Sequence, residues 1–454
     1  MALVAASFAC GRGGSPPGGG LTGSSPSLPQ SLLRLPRDGG TPTLYRLPAL
    51  SPAEWRVEGK FPPLAGPIGV DLDERLVYAA DTKDGVHALD LETRRVRPIG
   101  TGIRAATVGP SGALFTVSLD NHVTESARRV PVSFRDKLPG VPRALFGTGN
   151  DQLIALLGGD SNRVALLGSD LPAASLAIPN GAASATYWGD LVAIASDTAV
   201  VLYEPGSSHL LRSIPVSGHA RAVVFSASGH RLYVARRDDD NLLVLDRYTD
   251  KTLDHINLPG PSSSLRPDPY GRYLLVKLQS SDSVWVVDLG ANRLVGGWAA
   301  DWAPDLPAVT SDGLLLVKQG SDVLGWDLAN PEGAEVARIG GGAHDLWMVI
   351  PWSPEGGTTV VSADSAAQAT TDTATPSNQV YLQVSSSQNA SWAGELAGQL
   401  SDAGLPATVL KPHRDGDGYR VVLGPYASRE EAEAAGRKLG RPFFIYHPED
   451  PSSR

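Results

Sequence analysis

The chain has 454 residues, more than one hydrophobic core holds, since single cores stop growing near ~250–300 residues. Its 50 glycines and 36 prolines, beside 42% hydrophobic and 19% charged residues, describe a globular protein of many short strands and turns. A formal net charge of -9 excludes the basic field of a general nucleic-acid binder, and the single cysteine excludes an intrachain disulfide.

The first element, residues 1–42, reads as leader and linker. ALVAASFAC is an apolar run ending in small residues at Cys10, followed by GRGGSPPGGG. It resembles the end of a bacterial lipoprotein signal that has lost its basic start. The resemblance implies a lipid on Cys10 as the one attachment to a membrane, because no stretch reaches the ~18 apolar residues that span a bilayer. Residues 11–41, rich in Gly, Pro and Ser, have no periodicity and read as a flexible linker.

Residues 43–363 repeat. One strand recurs as LVYAAD at Leu76, LFTVSLD at Leu114, LIALLGGD at Leu153, LVAIASD at Leu191, LYVARRD at Leu232, LLVKLQSSD at Leu274 and LLLVKQGSD at Leu314, at spacings of 38, 39, 38, 41, 42 and 40. A second strand follows and often closes on an aspartate, as at Asp90, Asp246, Asp288 and Asp327. An edge-like strand comes next, such as KTLDHINL, and another strand precedes each repeat, as in RAVVFSASG before LYVA. Four strands every ~40 residues define a β-propeller blade; stacked blades bury each other's faces and the ring protects its ends. The stretch divides into seven or eight blades, with eight preferred. In the eight-bladed ring LWMVIPWSPEGGTTVVSAD supplies the first two strands of a composite closing blade and TLYRLPALSPAEWRVEG the last two. The repeats resemble YVTN-type and quinoprotein-like propellers. The aspartates that close the strands suit turns, where a carboxylate caps backbone donors.

Residues 364–378 are small and polar, and read as a tether. Residues 379–447 form a small α+β domain. In VYLQVSS, Val380, Leu382 and Val384 alternate with Tyr381, Gln383 and Ser385, giving one apolar and one polar face. Trp392, Leu396 and Leu400 recur at helical spacing, Gly404 ends that helix, and Ser428 with Glu431 is a capping box for a second. Residues 448–454 are a tail.

Several pieces of this domain stand in a recognisable order: Leu382-Gln383, Asn389-Ala390, Tyr419-Arg420-Val421, Gly424-Pro425-Tyr426, and Ser428 to Ala432. It resembles a SPOR (sporulation-related repeat) domain. The resemblance implies a four-stranded antiparallel sheet with two helices on one face, and binding of peptidoglycan glycan strands stripped of stem peptides. Carried over by position, it places Gln383 and Ser386 in contact with glycan. Tyr381, Ser385, Arg420 and Tyr446 join them as candidates: rings stack on sugar faces, while amides and guanidinium pair with hydroxyls. Phe444 and Tyr446, on the last strand, suit the core and the site equally.

In the repeat region His87, His122, His209, His219, His230, His255 and His344 are scattered, and none falls in a metal or hydrolase motif. Tryptophans near 298–302 and 347–352 suit core packing. The sequence therefore reads as a mainly β, non-catalytic protein of the bacterial envelope, periplasmic and drawn to the division septum. Its partners are denuded glycan strands and a protein held by the propeller. The reading includes no cofactor, metal or nucleic acid. The alternative is an envelope propeller enzyme, lactonase- or dehydrogenase-like, that the C-terminal domain targets to the wall.

Overall fold

The structure, a computed structural model, describes residues 30–354 and 380–446 apart from short turns and loop segments within them. The leader with Cys10, the tether 364–378 and the tail 448–454 lie outside the described residues. Those described form nine four-stranded sheets. Eight lie between Ser31 and Ile350 and one between Val380 and Tyr446.

Each of the first seven blades is four consecutive antiparallel strands. In the fifth they are Ala220–Phe225, Arg231–Arg236, Asn241–Asp246 and Thr252–Asn257. The second and third strands are continuous apolar runs because both their faces are covered. Leu232 and Val234 pack into a cluster shared with the fourth blade, while Tyr233 and Ala235 pack into one shared with the sixth. The outermost strand has only one wet-edged place to sit, and of its residues Ile256 alone is buried.

The same clusters decide the blade count. Shared cores join blades one and two, two and three, and onward to seven and eight, and a last one joins eight back to one. The ring therefore closes on eight blades. Each fully buried Leu, Val or Phe in such a cluster contributes roughly 1.5–3 kcal/mol relative to exposure.

The closing blade is composite, but its division differs from the expected two strands from each end. Only Leu346–Ile350 comes from the C-terminal side, and Ser31–Leu35, Thr43–Arg46 and Ser51–Pro52 complete it. The strand SLLRL lies within the stretch that the sequence assigns to the linker. Its leucines 32, 33 and 35 are fully buried, and Ser31 to Leu35 pair in register with Ile350 to Leu346. Trp347 anchors the blade. It is 1% exposed, donates its ring N–H to the Gly342 carbonyl at 2.8 Å, and packs on Tyr45.

The strand-closing aspartates build turns. Asp90 Oδ1 accepts the N–H groups of Glu92 and Thr93, Asp246 that of Thr249, Asp288 those of Gly290 and Ala291, and Asp327 that of Ala329. On the inner strands a bulge recurs in blades one, two, three, five and six, at Ala65, Arg104, Arg143, Arg221 and Ser263.

In the C-terminal domain the sheet order is Ala407–Leu410, Tyr419–Tyr426, Val380–Ser387, Phe444–Tyr446, all antiparallel. Helices α1 (Ala390–Asp402) and α2 (Arg429–Gly436) pack on one face. Val380, Leu382, Val384, Val421, Leu423 and Ile445 meet Ala393, Leu396, Leu400 and Ala432 there. Beyond α1, Gly404 takes φ +81°, the left-handed conformation that ends helices. Ser428 Oγ accepts the Glu431 N–H at 3.1 Å, and the Glu431 carboxylate reaches back to the Ala427 N–H at 3.0 Å. This is the capping box, with its return bond one residue earlier than usual.

Candidate functional site

The face of the C-terminal sheet away from α1 and α2 is set by register. Gln383 lies opposite both Val422 and Phe444, and Tyr381 opposite Tyr446. A bulge between Gln383 and Ser385 then shifts the pairing, so that Ser385 lies opposite Val421 and Ser386 opposite Arg420. Val421 belongs to the helix-side core, so the bulge places Ser385 at a helix-side register position. Ser386 keeps register with Arg420 on the open face.

The structure thus brings together Tyr381, Gln383, Arg420 and Tyr446. The Arg420 guanidinium carbon sits 5.4 Å from the centre of the Tyr446 ring, a cation–π contact of about 0.5–1 kcal/mol where exposed. Burial raises the Tyr381 phenol above its ordinary pKa, with the nearby Tyr446 adding to the rise, so the Tyr381 hydroxyl stays a neutral hydrogen-bond partner at physiological pH. Two rings, an amide and a guanidinium on one flat surface can stack on pyranose faces and hydrogen-bond neutral hydroxyls.

Two features of this face are not legible in the sequence. Gln383 is 6% exposed, and its face-mates Val422, Phe444 and Tyr446 are 1%, 4% and 7% exposed, although no helix of their own domain covers them. The second feature is what lies against Phe444 and, on the helix side, against Phe443. A Cβ added to Gly229, in the turn between the first two strands of blade five, would stand 2.8 Å from the Phe444 ring and 3.4 Å from Thr186 of blade four. Gly271 of blade six likewise lies against Phe443, and Ala227 packs against the C-terminal domain's core.

Polar contacts fix this junction. The Ile445 N–H on the edge strand donates to the Ser228 carbonyl at 3.3 Å. Glu433 of α2 is 4% exposed and accepts the Ser228 hydroxyl at 3.1 Å. Its other oxygen lies 3.5 Å from both His230 Nδ1 and an Arg231 guanidinium nitrogen. Burial lowers the His230 pKa, against the opposing pull of Glu433.

Four of the remaining histidines pair with nearby side chains. His87 meets Asp81 at 2.8 Å, His219 meets Asp197 at 2.6 Å, His255 meets Asn241 at 3.3 Å, and His344 meets Asp38 at 3.3 Å. Among the described residues no three His, Cys, Asp or Glu side chains are placed to hold a metal ion. Trp298 and Trp347 are core residues, while Trp302 stacks under Arg266 at 4.7 Å and Trp352 meets Trp55 edge-on. Of the bulged inner-strand arginines, Arg104 donates to the Leu119 carbonyl and Arg143 to that of Gly181.

Residues 376–446 match the SPOR domain family, and the preceding ring is a β-propeller. The chain is similar in fold to the dihydro-heme d1 dehydrogenase NirN, solved in complex with DHE, at 17% identity and a TM-score of 0.51, over 68% of this chain and 73% of that one. It is also similar to AztD from Citrobacter koseri at 11% identity and a TM-score of 0.50, over 71% of this chain and 98% of that one. No curated protein matches the sequence. The SPOR domain marks a protein associated with peptidoglycan in the cell envelope, and no helix among the described residues is long and apolar enough to cross a membrane.

Proposed function

We propose that the protein binds peptidoglycan glycan strands, stripped of their stem peptides, on the open face of its SPOR sheet. The observation that carries this is the gathering of Tyr381, Gln383, Arg420 and Tyr446 on the helix-free face of a domain matching that family. Ser386 lies in register with Arg420. In this reading the propeller is a non-catalytic scaffold that presents its loops to a protein partner. Lipidation at Cys10 holds the chain at the membrane, and glycan affinity concentrates it where the wall is remodelled, at the division septum.

The test is co-sedimentation of the full chain with purified sacculi, before and after an amidase removes the stem peptides. Stronger pelleting after stripping, diminished by Gln383→Ala and by Arg420→Ala, supports the reading. Equal pelleting by all three chains, or none, overturns it.

A second reading, an envelope propeller enzyme carried to the wall by the SPOR domain, draws on the fold likeness to a dihydro-heme d1 dehydrogenase. Adding a haem to the purified chain and recording its visible spectrum tests it. A saturable spectral shift favours this reading, and an unchanged spectrum removes its dehydrogenase form.

A further inference from the structure

The residue that the family resemblance places against glycan is closed to solvent in the full chain. At 6% exposure, the Gln383 amide cannot meet a polysaccharide until something moves. Among the described residues, both helices of its own domain pack on the opposite face. The neighbour opposite Gln383 is Phe444, and Phe444 lies under the Ser226–Gly229 turn of blade five.

We infer that the propeller is an intramolecular competitor for the glycan-binding face: the blade-five turn, held by Glu433 and the Ile445 N–H, closes the Gln383–Phe444 part of the sheet, and glycan binds after the SPOR domain lets go of it. This inference rests on the glycan-binding reading above. The junction has the composition of a reversible contact. It is anchored by one buried carboxylate among a hydroxyl, an imidazole and a guanidinium, with two phenylalanines seated on glycines. Buried charged groups hold firmly only while their partners stay in place. Because the two domains share one chain, the competitor acts at an effective concentration on the order of mM. A binding-competent state populated at about 1–10% raises the apparent Kd roughly 10- to 100-fold. Release therefore acts as a switch, set by whatever else engages the propeller turn or pulls the domains apart.

The test uses full-length chains altered only on the propeller side, so the glycan face is unchanged. Ser228→Glu sets a carboxylate against Glu433, and Arg231→Glu removes a nearby cation and adds a second repulsion. Deuterium exchange at the Ile445 amide reports release directly, since in the docked state that N–H donates to Ser228. The binding probe is amidase-stripped sacculi.

Both glutamate variants should exchange Ile445 faster and pellet at least tenfold better than the parent. Faster exchange with unchanged pelleting overturns the competition and leaves the glycan reading standing. Faster exchange with no pelleting by any chain overturns the glycan reading and this inference with it. Unchanged exchange in both variants shows that Glu433 does not hold the junction, and overturns the inference as well.

Discussion

The propeller and the SPOR domain solve the same problem in opposite ways. Every blade has two apolar faces, and each is covered by a sister blade of the same construction, so the ring is self-sufficient. The SPOR sheet has one face covered by its own helices and another that carries Val422, Phe444 and Tyr446, all buried in the full chain, with Phe444 against blade five. A fold that satisfies all its surfaces is a platform. A fold that leaves one face open has room there for a ligand or a neighbour, and on the inference above the two compete for one place.

The comparison breaks most severely where the ring closes. Trp347→Ala removes the anchor of the composite blade and should lower propeller stability by about 3–5 kcal/mol, read as a large fall in the urea midpoint. The SPOR domain, with its own core, should keep its helical signal. Leu382→Ala is the converse experiment. Leu382 is fully buried beneath the helices, and truncation should cost about 2–5 kcal/mol. That loss should appear as a separate early transition, with the propeller transition unmoved.

Smaller effects sharpen the contrast between repeated and single-copy features. Asp288→Ala deletes one turn cap that accepts two backbone N–H groups. The loss should be about 1 kcal/mol, because seven other blades are untouched. The smallest effect expected is the pH dependence of the junction. His230 is held below its ordinary pKa of 6.5 chiefly by burial, and the charged groups acting on it are Glu433, Arg231, Asp246 and Glu430. Release exposes the ring and restores its proton affinity. Docking is therefore undiminished above about pH 6.5 and weakens as pH falls from there toward the lowered docked value. Ile445 exchange, corrected for the intrinsic pH dependence of amide exchange, should speed up on acidification in the parent and lose this dependence in His230→Gln.

Most of the ring was legible because a blade buried on both faces writes itself as an apolar run. The leucine-led strands at 76, 114, 153, 191, 232, 274 and 314 carry that mark, and the aspartates behind them signal turns through local chemistry. The first strand of the closing blade was not legible. SLLRL is five residues long, sits among prolines and glycines, and pairs with Leu346–Ile350, more than 300 residues away. In the SPOR domain, alternation and family order located Tyr381, Gln383 and Arg420 on one face, while Tyr446 on the short last strand stood open between core and site. The bulge that places Ser385 at a helix-side position has no signature of its own. The junction was invisible for a different reason: Ser228 and Glu433 are 205 positions apart, and neither a turn serine nor a helix glutamate announces a distant partner. His230 stood among the scattered histidines with nothing to mark it.

The composite blade also decides how the molecule would carry a mechanical load. Ser31 begins one of its strands, Ile350 ends the other, and these two residues lie directly opposite each other. A force applied between the N-terminal leader and the SPOR domain enters the propeller at that single rung. Antiparallel strands pulled from the same end open one rung at a time, each rung taking the whole force, whereas strands pulled from opposite ends share it along their length. Under such a load the ring would unzip from its seam at low force, making the closing blade a breakable link.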